Sequence, residues 1–160
     1  MIYSTKVKWK GNFDFLGLYL HIKQWLEQEG YGTPYEKLYT LRLKQGGKDV
    51  EIVWETSKKE GQKEYFLFSL GIEFYGTGLS DAQLNLEDGR VIAAEKGTIE
   101  IRLVMHLEQN AQETWNEGFI HELYEKYILR ENIDLMKIQA YKDTMDLVEE
   151  TKKYLQLYKL

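Results

Sequence analysis

The chain of 160 residues has no cysteine, a single proline and a small excess of acid over base. Without cysteine there are no disulfides, no thiolate metal sites and no cysteine nucleophile. No apolar run approaches the roughly 18 residues that a membrane helix needs. Nothing at the N-terminus reads as a secretory leader, so a cytoplasmic location is expected. The net charge of −5 sits mostly in residues 108–160. A nucleic-acid partner is therefore not expected, because phosphate binding wants a basic face. Two nucleotide and hydrolase signatures are also missing. Gln45-Gly46-Gly47-Lys48 lacks phosphate-loop spacing, and no Gly-x-Ser-x-Gly elbow occurs.

What is present is a globular composition, 43% hydrophobic and 29% charged, rich in aromatics with 12 Tyr and 4 Trp. Alternation of apolar and polar residues marks the strands. In residues 2–10, Tyr3, Thr5, Val7 and Trp9 share one face, and Lys6, Lys8 and Lys10 the other. Three lysines on one strand face fit a guarded sheet edge better than a phosphate site. Phe15, Leu18, Tyr19, Ile22, Trp25 and Leu26 recur at helical spacing, and Gly30 ends that helix. Further strands are expected at 35–44, 49–57, 64–75, 82–86, 90–94 and 98–107, with Asp88-Gly89 closing a hairpin. Lys58 to Lys63 reads as a solvated turn. Trp115, Phe119, Leu123 and Tyr127 then shift to a spacing of four. After a break at Arg130-Glu131-Asn132, a terminal helix is expected over about 135–158, with Ile138, Tyr141, Met145, Val148, Leu155 and Tyr158 along one side.

This order predicts a single domain over 1–160 of the α+β class. Its expected core is a seven-stranded curved antiparallel sheet packed on a long C-terminal helix. The element order resembles the helix-grip fold of the START-like and plant-allergen-like superfamily. That resemblance implies a cavity between sheet and terminal helix. Separately, Phe13-Asp14-Phe15-Leu16-Gly17-Leu18-Tyr19, Trp25-Leu26 and Glu29-Gly30-Tyr31 resemble the start of small archaeal proteins. That likeness implies no activity.

No side-chain set reads as catalytic, and no cofactor or metal is expected. Glu117, His121 and Glu125 align on one helix face, but His-Glu-x-x-His is absent, and a solvated acidic face is the better account. His106 on a polar strand face and His21 on the first helix lack an evident acid–base partner. The inward aromatic set Trp9, Tyr39, Trp54 and Phe68 suits the lining of a hydrophobic ligand cavity. It suits a solid core equally well. The leading expectation is a noncatalytic module binding a hydrophobic small molecule. The alternative is a protein-interaction or oligomerisation domain, with partners or a second copy meeting the C-terminal helices. There Leu135, Met136, Leu147, Tyr154 and Leu157 lie off the main stripe. A cyclase or hydrolase in the same cavity is third.

Overall fold

A computed structural model describes residues 2–60, 66–86, 88–109 and 129–157. The described elements are β1 (Tyr3–Phe13), α1 (Phe15–Gln28), β2 (Tyr35–Lys44), β3 (Gly47–Glu60), β4 (Phe66–Asn85), β5 (Val91–Gln109) and α2 (Leu129–Leu157). One antiparallel sheet has the order β1-β5-β4-β3-β2, so β1 and β2 are its described edges.

The sheet has five strands, not the seven expected from the sequence. The two extra breaks fall where glycines mark a bend within a longer hairpin. Gly76-Thr77-Gly78 reads as a strand end, yet β4 continues through it to Asn85. The register with β5 shifts between Thr77 and Ser80, and pairing then resumes from Ser80↔Lys96 to Asn85↔Val91. Gly78 has φ +62°, which suits a glycine at such a bulge. Glu95-Lys96-Gly97 likewise lies inside β5 rather than in a turn. A Cβ on Gly97 would stand 2.9 Å from the Gly78 carbonyl oxygen and 3.0 Å from that of Thr77. Glycine here serves close backbone approach, not chain reversal.

Two other boundaries move. β3 extends through Lys58, Lys59 and Glu60, which pair with Phe68, Leu67 and Phe66, so this stretch is strand and not solvated turn. α2 is already helical at Arg130–Asn132, where a break was expected. The stripe and metal-face residues Trp115, Glu117, Phe119, His121, Leu123, Glu125, Tyr127 and Tyr158 lie outside the described residues.

The inner face of the sheet carries Val50, Ile52 and Trp54 from β3, Phe66 to Phe74 at alternate positions of β4, and Ile99 to Met105 at alternate positions of β5. Both helices cover that face. α1 lies over β3 and β4: Tyr19 meets Trp54 edge-on at 4.6 Å, and Phe15 lies 6.5 Å from Phe74. α2 packs on β1, β5 and α1. Its buried line is Ala140, Thr144, Leu147, Val148, Thr151 and Leu155, while Ile138 and Tyr141 from the expected stripe are exposed. Threonine can take core positions because each hydroxyl donates to the carbonyl four residues back, Thr144 to Ala140 at 2.9 Å and Thr151 to Leu147 at 2.8 Å.

Helix α1 begins at Asp14, whose carboxylate accepts from the Gly17 amide at 3.1 Å. It ends in a Schellman turn. Gly30, at φ +89°, donates to the Glu27 carbonyl, and the Tyr31 amide donates to that of Leu26 at 2.9 Å. That turn aims Tyr31 into the core, where it is 3% exposed.

Candidate functional site

The four aromatic residues expected to line a cavity do not form one constellation. Trp54 and Phe68 are 1% and 0% exposed and belong to the packed core. Trp54 is held edge-on against Phe74 at 5.0 Å and donates its indole N–H to Glu36 at 3.2 Å. Trp9, on β1, is half-buried and donates to the carbonyl of nearby Asn12. Tyr39 is 56% exposed on the far edge strand.

The most concentrated buried chemistry lies elsewhere, around Asp143 on α2. One carboxylate oxygen accepts from the Tyr31 hydroxyl and the Lys58 ammonium, both at 2.8 Å. The other accepts from the Gln139 amide at 2.8 Å. Glu60 stands 3.2 Å from Lys58, and the ammonium lies over the Tyr31 ring at 4.8 Å. Thr56 completes the set by donating to the Tyr31 carbonyl at 2.7 Å. Burial pulls the Lys58 pKa down, but Asp143 and then Glu60 outweigh it, and the value rises above that of an ordinary lysine. Burial, then the Asp143 charge, raises the Tyr31 hydroxyl well above the usual tyrosine range. Both groups are held in their protonated forms, and both donate to one carboxylate. The arrangement clamps α2, β3 and the turn after α1.

A second contact set joins the helices. His21 stacks on Tyr154 at 4.9 Å and approaches Glu150 at 3.3 Å, and Tyr154 donates to Asp14 at 3.3 Å. His106 is exposed on the outer sheet face, in an open depression with Ser57, Ser69, Gly71 and Glu108. Among the described residues no three His, Asp or Glu side chains are grouped to hold a metal ion. No described helix is long and apolar enough to cross a membrane.

The unusual surface is β2. Nine of its ten residues are exposed, although it carries Tyr35, Leu38, Tyr39, Leu41 and Leu43. Tyr39 and Leu41 face inward by register, opposite buried Ile52 and Val50, yet they are 56% and 49% exposed, and Leu43 is 83% exposed. They lie beyond the reach of α1. The last described contact of that helix in this direction is the Tyr19 hydroxyl, which donates to Glu36 at 2.9 Å. Burial and the Glu36 carboxylate push that hydroxyl up to about 12. Leu16 and Leu20 on α1 are exposed as well. Among the described residues of α2, Leu135, Ile138, Tyr141 and Leu157 are exposed as well, while Leu147 is buried.

Sequence reasoning missed the Asp143 clamp, although one signal was available. Lys58 shares the parity of Val50, Ile52, Trp54 and Thr56, the inward positions of β3. An inward lysine demands a buried carboxylate. No model of a known protein family matches the chain, and no curated protein matches it.

Proposed function

We propose that the protein is a noncatalytic interaction module that receives another polypeptide along β2. One observation carries this reading. β2 is an edge strand among the described elements, exposed on both faces, yet it bears five large apolar side chains. Natural edge strands are normally short, charged or covered, because free amides and carbonyls template pairing with another chain. The opposite edge follows that rule, with Lys6, Lys8 and Lys10 on the outer face of β1. Strand addition joins backbone hydrogen bonds to side-chain contacts at alternate positions, and β2 offers both. The hydrophobic small-molecule reading has less support, since Trp54 and Phe68 are packed in the core.

The test is substitution of Leu41 and Leu43 by lysine in the full chain, followed by urea unfolding and binding of an apolar fluorescent dye. An association surface predicts dye binding to the wild type that the substitutions remove. It also predicts stability at high dilution kept within about 0.5 kcal/mol, as for surface changes. A concentration-independent loss above about 2 kcal/mol would mean that β2 is already covered by its own chain, and would refute the reading.

A further inference from the structure

Resting on that reading, we infer that the occupant of β2 is β2 of a second copy, paired antiparallel about a twofold axis through Leu41. Three observations converge on self-pairing.

The first is charge. β2 carries Glu36, Lys37, Arg42 and Lys44, a net positive set that would repel its own copy if its cations were free. They are drawn onto β3 instead. Lys37 pairs with Glu55 at 3.1 Å, Lys44 pairs with Asp49, and Arg42 lies opposite Asp49 in the register. On β1, by contrast, three lysines share the outer face with one acid, Glu100, which lies 3.9 Å from Lys6 and is also bound by Arg102. One edge keeps a surplus of positive charge, and the other has most of its charge paired.

The second is register. Along an edge strand only alternate residues turn their backbone N–H and C=O outward. Two copies of one strand therefore pair residues of the same parity, and the twofold axis must pass through a residue. The pairing with β3 slips between Glu36 and Leu38, so the regular edge runs from Leu38 to Lys44. Its midpoint is Leu41. An axis there sets Leu41 against its copy and Tyr39 against Leu43 of the second copy, twice over, on the inner face. On the outer face Leu38 meets Lys44 and Thr40 meets Arg42. No like charges stand directly opposite.

The third is area. The exposed surface of the five apolar residues of β2 amounts to roughly 600 Å², the larger part of what one partner needs, before the paired backbone is added. Each partner of a standard interface contributes about 800 Å². Pairing would continue the sheet across the two copies, and an isologous contact of this kind closes at two subunits.

The experiment uses the full chain. Sedimentation equilibrium should show a monomer–dimer equilibrium in the micromolar range, weakened at least about tenfold by Leu41→Lys. The absence of native cysteine makes single-cysteine variants clean probes. Leu41→Cys should form a disulfide-linked dimer under mild oxidation, while Leu135→Cys on α2 should not. A wild type that stays monomeric, with Leu41→Lys neutral for stability, would overturn self-pairing and leave β2 open to a different chain. A monomer destabilised by Leu41→Lys at every concentration would overturn both readings, because the chain would then cover its own β2. A dimer indifferent to Leu41→Lys and linked through Leu135→Cys would place the contact on α2 and also refute the inference.

Discussion

Replacing Asp143 with alanine should be among the most damaging single changes in the described structure. The carboxylate is almost fully buried and accepts three hydrogen bonds of 2.8 Å, from Tyr31, Lys58 and Gln139. Its loss strands a lysine whose side chain is only 12% exposed. Breaking a buried ion pair by removing one partner costs about 3–5 kcal/mol. Glu60, 3.2 Å from Lys58, retains part of the compensation and favours the lower end. Against that, the Tyr31 hydroxyl would lose its acceptor in the core, a penalty of about 1–3 kcal/mol that overlaps with the first. The net expectation is about 3–5 kcal/mol, which for a chain of this size lowers the melting temperature by roughly 6–20 °C.

Urea unfolding at constant slope is the assay. The control removes the whole network together, as Tyr31→Phe, Lys58→Met and Asp143→Leu. Apolar replacement of a complete buried set is often neutral or stabilising, so the triple variant should be more stable than Asp143→Ala alone. A loss below about 1 kcal/mol for Asp143→Ala would place Lys58 in water and refute the clamp. The same network sets an alkaline limit. The folded-state pKa of Lys58 and of Tyr31 is raised. Their stabilisation is therefore complete below their unfolded values, near pH 10, and declines as pH climbs toward the folded values. Stability of the wild type should fall above about pH 10, and the triple variant should lose that component.

Gly97→Ala should cost about 1–3 kcal/mol by overpacking, since its new Cβ meets backbone oxygens of Thr77 and Gly78 that no rotamer change can move aside; a neutral result in thermal melts would mean that the β4–β5 bend is loose. Phe68→Ala should cost about 3–5 kcal/mol, because the ring is fully buried and also lies under the Lys58 ammonium; a much smaller loss in urea unfolding would point to space beside the ring and revive the ligand cavity. Asp14→Ala should cost about 1 kcal/mol as a lost helix cap, and it also removes the acceptor of Tyr154; unchanged stability would show that neither bond holds the helices together.

Period-two alternation exposed the inward faces of β3, β4 and β5, because each has one buried side. It failed where a local signal has two physical meanings. Gly76, Gly78 and Gly97 look like turn residues, but at a bend inside one hairpin Gly97 allows close backbone approach, Gly76 leaves room for the Leu79 side chain and Gly78 takes a positive φ. Lys58-Lys59-Glu60 looks like solvent-exposed chain, yet its first residue continues an inward parity. On α2, threonines with internally satisfied hydroxyls took core positions ahead of Ile138 and Tyr141. The exposure of β2 was not legible at all. Tyr39, Leu41 and Leu43 have the pattern of a half-buried strand, and only the lateral placement of the helices decides whether that face is covered.

That placement follows from particular contacts. Strands about 4.8 Å apart make a five-stranded sheet about 19 Å across, and two helices of about 10 Å each are just wide enough to cover it. The cover here is displaced toward β1. α2 packs on β1 and β5, and its Tyr141 lies edge-on against Tyr3 of the edge strand at 4.7 Å. Asp143 then fixes α2 against Lys58 and Tyr31, and the Tyr154 contacts with His21 and Asp14 fix α1 against α2. With both helices tied in this position, the described contacts of α1 end at Trp54 and Glu36, and Tyr39 and Leu41 on the inner face of β2 stay about half exposed. Its exposure thus follows from the same contacts that hold the core. The clamp and the open edge are consequences of one helix placement, and weakening the clamp should loosen α2 without covering β2.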